Sequence, residues 1–333
     1  MERLLTISPS PHLHAELTVP KIMQAVIVAL VPALCFSIYT FGIPALVVTV
    51  TAVVFCVASE YVINKYLFAK PVTIYDGSAI ITGLLLAFNL PSSLPWYIVA
   101  IGAIVAMGIG KLSFGGLGNN PFNPALVGRV FLLISFPVQM TSWPTAQFRL
   151  SLDATTGATP LGILKDGLRA GDNVPELMST MPSYTDIFFG MTGGSLGEMS
   201  SFALLLGFGY LLYKKVITWH VPVAVIATVF LFTGVFYLQD PSRYASPVFH
   251  VLTGGVLLGA IFMATDYVTS PVTHKGMVVF GVGIGIITVL IRLFGNYPEG
   301  ISFAILLMNG FVPIINRYFK PVPFGHATTL IKK

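Results

Sequence analysis

Long apolar runs alternate with short polar connections along this chain. The first two runs cover about Ile22–Phe41 and Ile43–Ile63. A third, Ser78–Leu90, is stopped by Pro91; a fourth spans Trp96–Phe114 and a fifth Pro124–Pro137. Roughly sixty more polar residues follow, Val138–Glu198. Five further runs occupy Met199–Tyr213, Val221–Leu238, Val248–Thr265, Met277–Phe294 and Ile301–Ile315. Continuous apolar runs predict bilayer-crossing helices, each needing about 20 residues. The strict alternation of a membrane β-barrel is missing. Several runs are shorter than a simple crossing, a pattern typical of broken helices around a buried site. The expectation is an all-α polytopic membrane protein of about ten spans.

Composition agrees. Of 333 residues, 55% are hydrophobic and 9% charged. A soluble protein carries about 25% charged residues, so this chain has too few to cover a water-exposed surface. The net charge of +5 does not point to nucleic acid, because the basic residues sit in short loops between spans. Their distribution sets orientation instead. One side collects Arg3, Lys21, Lys65, Lys70, Lys111, Arg129, Lys214, Lys215, Lys275, Arg317, Lys320, Lys332 and Lys333. The other holds only Arg149, Lys165, Arg169, Arg243 and Arg292. Both termini are expected in the cytoplasm, with the long loop outside. Residues 1–21 then form a cytoplasmic segment, 22–137 a first membrane unit, 138–198 the outer loop, 199–316 a second membrane unit and 317–333 a cytoplasmic tail. Residues Pro9, Pro11, His12, His14 and Glu16 leave no apolar stretch for a cleavable signal peptide.

The two membrane units repeat one another. Gly118-Asn119-x-Pro121 recurs as Gly295-Asn296-x-Pro298, an offset of 177. The same offset pairs Ala87 with Ala264, Asn89 with Asp266, Ser93 with Ser270 and Gly108 with Gly285. Five spans per half is an odd number, so the halves run in opposite senses through the membrane. Inverted repeats place a site near the midplane where they meet.

Candidate chemistry is sparse. Cys35 and Cys56 lie in apolar runs and read as small buried hydrophobes. There is no Walker A pattern, no nucleotide-binding glycine turn and no cysteine cluster, so catalytic and metal-ligating residues are not expected. Lys111 and Arg129 flank span ends and read as interface anchors. His220 reads as interfacial. Asp266 ends the eighth run, where an acid near the membrane interior is costly and marks a functional site. The alternative is a cap on the turn Thr269-Ser270-Pro271. Gly115–Pro124 carries Asn119, Asn120 and Asn123, whose amides need partners beside a span. The outer loop clusters Thr155, Thr156 and Thr159 beside Asp153, with Gly157 letting the backbone present a hydroxyl. As part of a surface turn, Thr159 should tolerate alanine at a cost below about 0.5 kcal/mol.

At this stretch the chain resembles a known family. Asp153-x-x-Thr156-Gly157-Ala158-Thr159 is similar to the flavinylation motif Asp-x-x-(Ser/Thr)-Gly-Ala-(Ser/Thr). The resemblance implies FMN joined through its phosphate to Thr159 by a dedicated flavin transferase. Gly115–Ala125, Leu133–Thr141, Gly194-Ser-Leu-Gly197-Glu198, Ile217-Thr-Trp219-His220 and Ala264-Thr-Asp266-x-Val-Thr-Ser-Pro271 resemble the D-subunit family of the Rnf complex. So does Asn296-Tyr-Pro-Glu299-Gly, with Glu299 where Asp is usual. The B subunit of the Na⁺-translocating NADH:quinone reductase is a related, longer chain. The resemblance runs from Ser10-Pro11-His12 to near residue 317. It implies electron transfer coupled to Na⁺ or H⁺ movement in a bacterial inner membrane, within a ferredoxin:NAD⁺ oxidoreductase that also holds the A, B, C, E and G subunits. It also implies a second, noncovalent flavin, riboflavin, for which Asn119, Asn123 and Asp266 are the candidate contacts. Such a chain is a translocase subunit and performs no catalysis alone. The competing reading is a channel or transporter without redox chemistry, since inverted five-helix repeats also resemble the urea-channel architecture.

Overall fold

Helices in this chain repeatedly begin with a polar cap followed by proline. Asn123-Pro124, Thr159-Pro160 and Ser246-Pro247 each set a side-chain oxygen against a first-turn N–H. Proline suits that position, because the N–H it lacks would have no helical partner there. A computed structural model describes residues 18–144 and 156–321, Thr156 by its backbone alone.

The first half contains α1 (Val19–Phe41), α2 (Ile43–Val62), α3 (Ser78–Phe88), α4 (Trp96–Val105) and α5 (Pro124–Ser135). A short α6 (Pro137–Thr141) follows, then strand β1 (Trp143–Pro144). Strand β2 (Thr156–Gly157) pairs antiparallel with β1, Trp143 opposite Gly157. The connecting segment then folds into α7 (Pro160–Ala170), α8 (Val174–Thr180) and α9 (Tyr184–Phe189). The second half holds α10 (Ser201–Tyr213), α11 (His220–Gln239), α12 (Pro247–Leu252), α13 (Val256–Leu258), α14 (His274–Phe294) and α15 (Ile301–Tyr318). Among the described residues, three stretches widen into π-helix: Ile63–Leu67, Ala106–Lys111 and Gly259–Met263.

Six helices among the described residues are long and apolar enough to cross a membrane: Val19–Phe41, Ile43–Leu67, Trp96–Phe114, His220–Gln239, His274–Phe294 and Ile301–Tyr318. Three shorter apolar helices are α3, α5 and α10. The chain is therefore a mostly helical, multi-pass membrane protein. The run Val248–Thr265 is not one helix. It breaks at Thr253–Gly255, where Gly254 and Gly255 adopt φ of +66° and +69°. Those values favour glycine.

Helix bounds recur along the chain. Helices α2 and α11 begin 177 residues apart and end 177 residues apart. The first residues of α5 and α15 are separated by the same 177. Contacts follow suit: α2 packs on α4 as α11 packs on α14, while α1 meets α10 and α5 meets α15. The main core lies among these helices. A second, smaller one gathers Leu161, Leu164, Val174, Met181, Ile187, Ala245 and Phe249, and holds the α7–α9 segment against α12. Cys56 is buried, but Cys35 is exposed on α1. That helix lies at the edge of the bundle with only part of its surface covered.

Candidate functional site

Charge inside an apolar bundle must be paired, and the chain pairs it in two places at opposite ends of α3. With 11 residues in α3, the ends lie about 16 Å apart at 1.5 Å per residue. At the N-terminal end, Lys111 Nζ donates to Glu60 Oε1 at 2.9 Å and to Ser78 Oγ at 2.6 Å. Ser78 Oγ passes a hydrogen bond on to Asp76, and Thr73 Oγ1 donates to Glu60 Oε1 at 2.9 Å. Lys111 and Glu60 are each 1% exposed. Lys111 is thus no interface anchor. The π-helical turn ending at it carries the ammonium inward, where only a carboxylate makes its burial tolerable.

Arg129, the other expected anchor, is also buried, on α5 at the opposite end of α3. Its Nη1 donates to Asn89 Oδ1 at 2.7 Å and to Ser302 Oγ, and its Nη2 to Glu299 Oε2. Glu198 Oε1 lies 3.8 Å from Nη2, an ion-pair distance too long for a hydrogen bond. That oxygen has no hydrogen-bond partner among the described residues. Glu198 reaches this point because Leu196 and Gly197 donate their N–H groups to the Leu90 and Phe88 carbonyls at the C-terminal end of α3. Burial pushes the Glu198 carboxyl up to about 8, and the neighbouring Glu299 adds to the rise. Arg292 is committed elsewhere. Its guanidinium donates to the carbonyls of Glu299, His250, Thr253 and Gly254. A Cβ on Gly255 would stand 2.3 Å from Glu198 Oε1, and one on Gly254 2.6 Å from Arg292 Nη2. The tandem glycines therefore admit both charged groups.

Thr159 opens onto this second cluster. It is the N-cap of α7, its Oγ1 accepting from Gly162 N–H at 3.1 Å. A cavity of about 30 Å³ is bordered by Thr159, Thr192, Gly193, Gly194, Glu198, Gly254 and Glu299. Glu299 also borders an aromatic-walled cavity of about 40 Å³ with Arg129, Trp143, Tyr297 and Phe303. Helix α7 is held down by Lys165, whose Nζ donates to the carbonyls of Ile291, Arg292 and Tyr297. Burial, then the charges of Arg169 and Arg292, lower the Lys165 ammonium to about 8. As a half-buried cap, Thr159 is not a free surface hydroxyl, and its loss costs about 1 kcal/mol rather than less than half that.

The other expected site residues divide. Thr156 and Gly157 form β2, and Ala158 is exposed beside Thr159. Asp153 lies outside the described residues. Asn123 and Asp266 line one cavity of about 90 Å³ with Thr82, Thr265 and Tyr267. Asn123 caps α5 and donates to the Met263 carbonyl at 3.2 Å, where the Gly259–Met263 π-turn ends. Asp266 accepts from Thr269 Oγ1 at 3.2 Å, the turn contact foreseen as its alternative. Asn119 is exposed in the Gly115–Asn120 loop and borders none of this. His220 stacks between Trp219 and His274 at 4.3 Å from each. Glu60 is not legible as a site residue from sequence, and Glu198 and Glu299 stand out there only as parts of matched segments. The available signal is their charge within an apolar stretch.

Known proteins share this sequence almost end to end. Residues 6–325 match the model of the NQR2, RnfD, RnfE family. A Clostridium ljungdahlii protein, named as the D subunit of a proton-translocating ferredoxin:NAD(+) oxidoreductase complex, is 46% identical over 97% of this chain and 97% of its own length. An Acetobacterium woodii protein, named as the D subunit of a Na(+)-translocating ferredoxin:NAD(+) oxidoreductase complex, is 47% identical over 99% of this chain and 97% of its own. The D subunit of the ion-translocating oxidoreductase complex of Erwinia tasmaniensis is 37% identical over 96% of this chain. With the family model and these relatives matching over nearly its whole length, the chain belongs to the NQR2, RnfD, RnfE family.

Proposed function

We propose that this chain is the D-type membrane subunit of an ion-translocating ferredoxin:NAD(+) oxidoreductase complex, and that it carries FMN esterified through its phosphate to Thr159. The complex membership is supported by relatives of the same length bearing that name. Its partners are then the A, B, C, E and G subunits of the Rnf complex, together with a flavin transferase. One observation carries the flavin assignment: the hydroxyl of the motif's last residue, Thr159, sits half-buried on a cavity at the N-terminus of an 11-residue helix. The residues fit the phosphate end of the cofactor. The Thr159 hydroxyl accepts one hydrogen bond and keeps its own proton to give up. The helix N-terminus favours the anionic ester, against the opposing charge of any ionised glutamate among Glu198 and Glu299 on the cavity wall. Gly193 and Gly194 leave one part of the cavity wall without side chains. At about 30 Å³ it admits roughly two water-sized groups, so the ring system lies outside it. A bound flavin supplies electron transfer; the chain supplies position and electrostatics.

The second proposal is a noncovalent riboflavin site where Asn123 and Asp266 share a cavity. The exposed Asn119 has no part in it. Ten spans in two inverted halves are proposed as well, supported by the 177-residue recurrence of helix bounds and by the contacts α1–α10 and α5–α15. In that arrangement both termini are cytoplasmic and Thr159 faces outward, in a bacterial inner membrane. Near-equal relatives are named for H⁺ and for Na⁺, so the ion is decided by ion dependence of transport, not by likeness.

The test is a denaturing gel of the chain co-expressed with its transferase. Wild type and Thr159→Ser should show a flavin-fluorescent band, and Thr159→Ala none. Serine keeps both the cap and the nucleophile. A fluorescent Thr159→Ala band would move the ester to Thr155 or Thr156.

A further inference from the structure

We propose that Glu198 and Glu299, sharing the one guanidinium of Arg129 beneath Thr159, form a single-proton site whose occupancy answers the charge of the group bound at Thr159. The coupling rests on the flavin reading above; the proton site itself does not.

Two carboxylates converge here on the donors of one guanidinium, with the charge of Arg292 nearby. Arg129 Nη2 bonds Glu299 Oε2 and stands 3.8 Å from Glu198 Oε1. The second nearby cation, Arg292, spends its N–H groups on four backbone carbonyls. It touches the pair only through the Glu299 carbonyl. The remaining titratable neighbour, His250, gives Arg292 its carbonyl and is itself buried. Gly255 and Ser195 meet Glu198 from α13 and from its own segment, and neither is charged. Glu198 Oε1 is buried, without a hydrogen-bond partner among the described residues, and Glu198 borders the cavity that Thr159 opens on. A lone proton on this oxygen satisfies it and leaves one negative charge for Arg129. With both carboxylates bare, this buried oxygen has no donor, although the charge of Arg292 lies close enough to act on Glu198.

The balance with a redox group is direct. Two electrons and one proton delivered to a flavin leave one net negative charge. A proton from solvent then bonds a carboxylate oxygen of the pair and cancels that charge. On reoxidation both electrons return to one-electron carriers of the partner subunits, and both protons return to solvent. Burial holds Glu198 up to about 8, so the pair keeps its proton below that pH in either redox state. Redox-linked uptake therefore sets in above it.

The experiment is a potentiometric titration of the covalent flavin in the assembled complex across pH 6–10, followed by infrared difference spectroscopy. Above about pH 8 the wild-type potential should steepen by a further tenfold in equilibrium constant per pH unit, about 30 mV for a two-electron couple. Reduction should add a protonated-carboxyl band in the wild type, which requires no variant. Glu198→Gln and Glu299→Gln should lose the band and the extra slope while keeping the flavin. An unchanged slope in a flavin-loaded Glu198→Gln complex overturns the coupling. An extra slope set by sodium concentration rather than pH overturns the proton assignment. Absence of flavin from the wild type sinks the flavin reading alone. The Thr159→Ala complex then decides the proton site: a carboxyl should titrate near pH 8 and vanish in Thr159→Ala/Glu198→Gln, and its absence overturns the site.

Discussion

The two ends of α3 solve one problem in different ways. At its N-terminal end Lys111 meets Glu60 directly, and the hydroxyls of Ser78 and Thr73 bond Lys111 and Glu60 Oε1, while Glu60 Oε2 is buried without a partner among the described residues. The ammonium and the carboxylate match one to one. At the C-terminal end one arginine serves two glutamates, because Arg292 is held by backbone carbonyls. The first arrangement is a clamp with a fixed charge. The second hangs two carboxylates on the donors of one arginine and borders the Thr159 cavity. Equal burial therefore does not mean equal role: two carboxylates sharing one arginine's donors beside a cavity differ from a one-to-one pair.

The largest expected effect breaks the clamp. Glu60→Ala leaves the Lys111 ammonium buried and unpaired, at a cost of about 3–5 kcal/mol. Replacing both residues with methionine should recover most of that loss. Thermal unfolding in detergent of the three chains checks it; an intact Glu60→Ala chain would mean water reaches Lys111. The next effect separates the two ends by pH. The Glu198 carboxyl lies above its usual 4.5 in the folded chain, so the folded state keeps a proton that the unfolded state has released. This contribution is full below about 4.5 and is lost as pH rises to about 8, by at most about 1.4 kcal/mol per pH unit. Glu198→Gln should flatten the fall, measured as melting temperature against pH. The smallest effect concerns the neighbouring amides. Asn123→Ala removes the α5 cap and should cost about 1 kcal/mol. Asn119→Ala, in the exposed loop, should stay within about 0.5 kcal/mol.

Continuous apolar runs made the long helices legible, but the coinciding bounds of α2 and α11 emerge only from the fold. The runs could not show the break at Thr253–Gly255, because the surrounding residues are apolar and the neighbours that leave no room for a Cβ there, Leu161, Glu198 and Arg292, are distant in sequence. Lys111 and Arg129 looked like anchors because they sit near span ends. Their partners lie 51 and 170 residues away in sequence, a separation no local pattern reveals. The Thr159 motif was visible as residues, but its role as the α7 cap depends on the fold around it.

The central claim is a phosphoester at Thr159, and peptide mass spectrometry of the wild-type chain, matured with its transferase, tests it most directly. The account predicts the FMN mass increment on the proteolytic fragment containing Thr159, with fragmentation placing it on that residue. The increment on Thr155 or Thr156, or its absence from the matured chain, would contradict it.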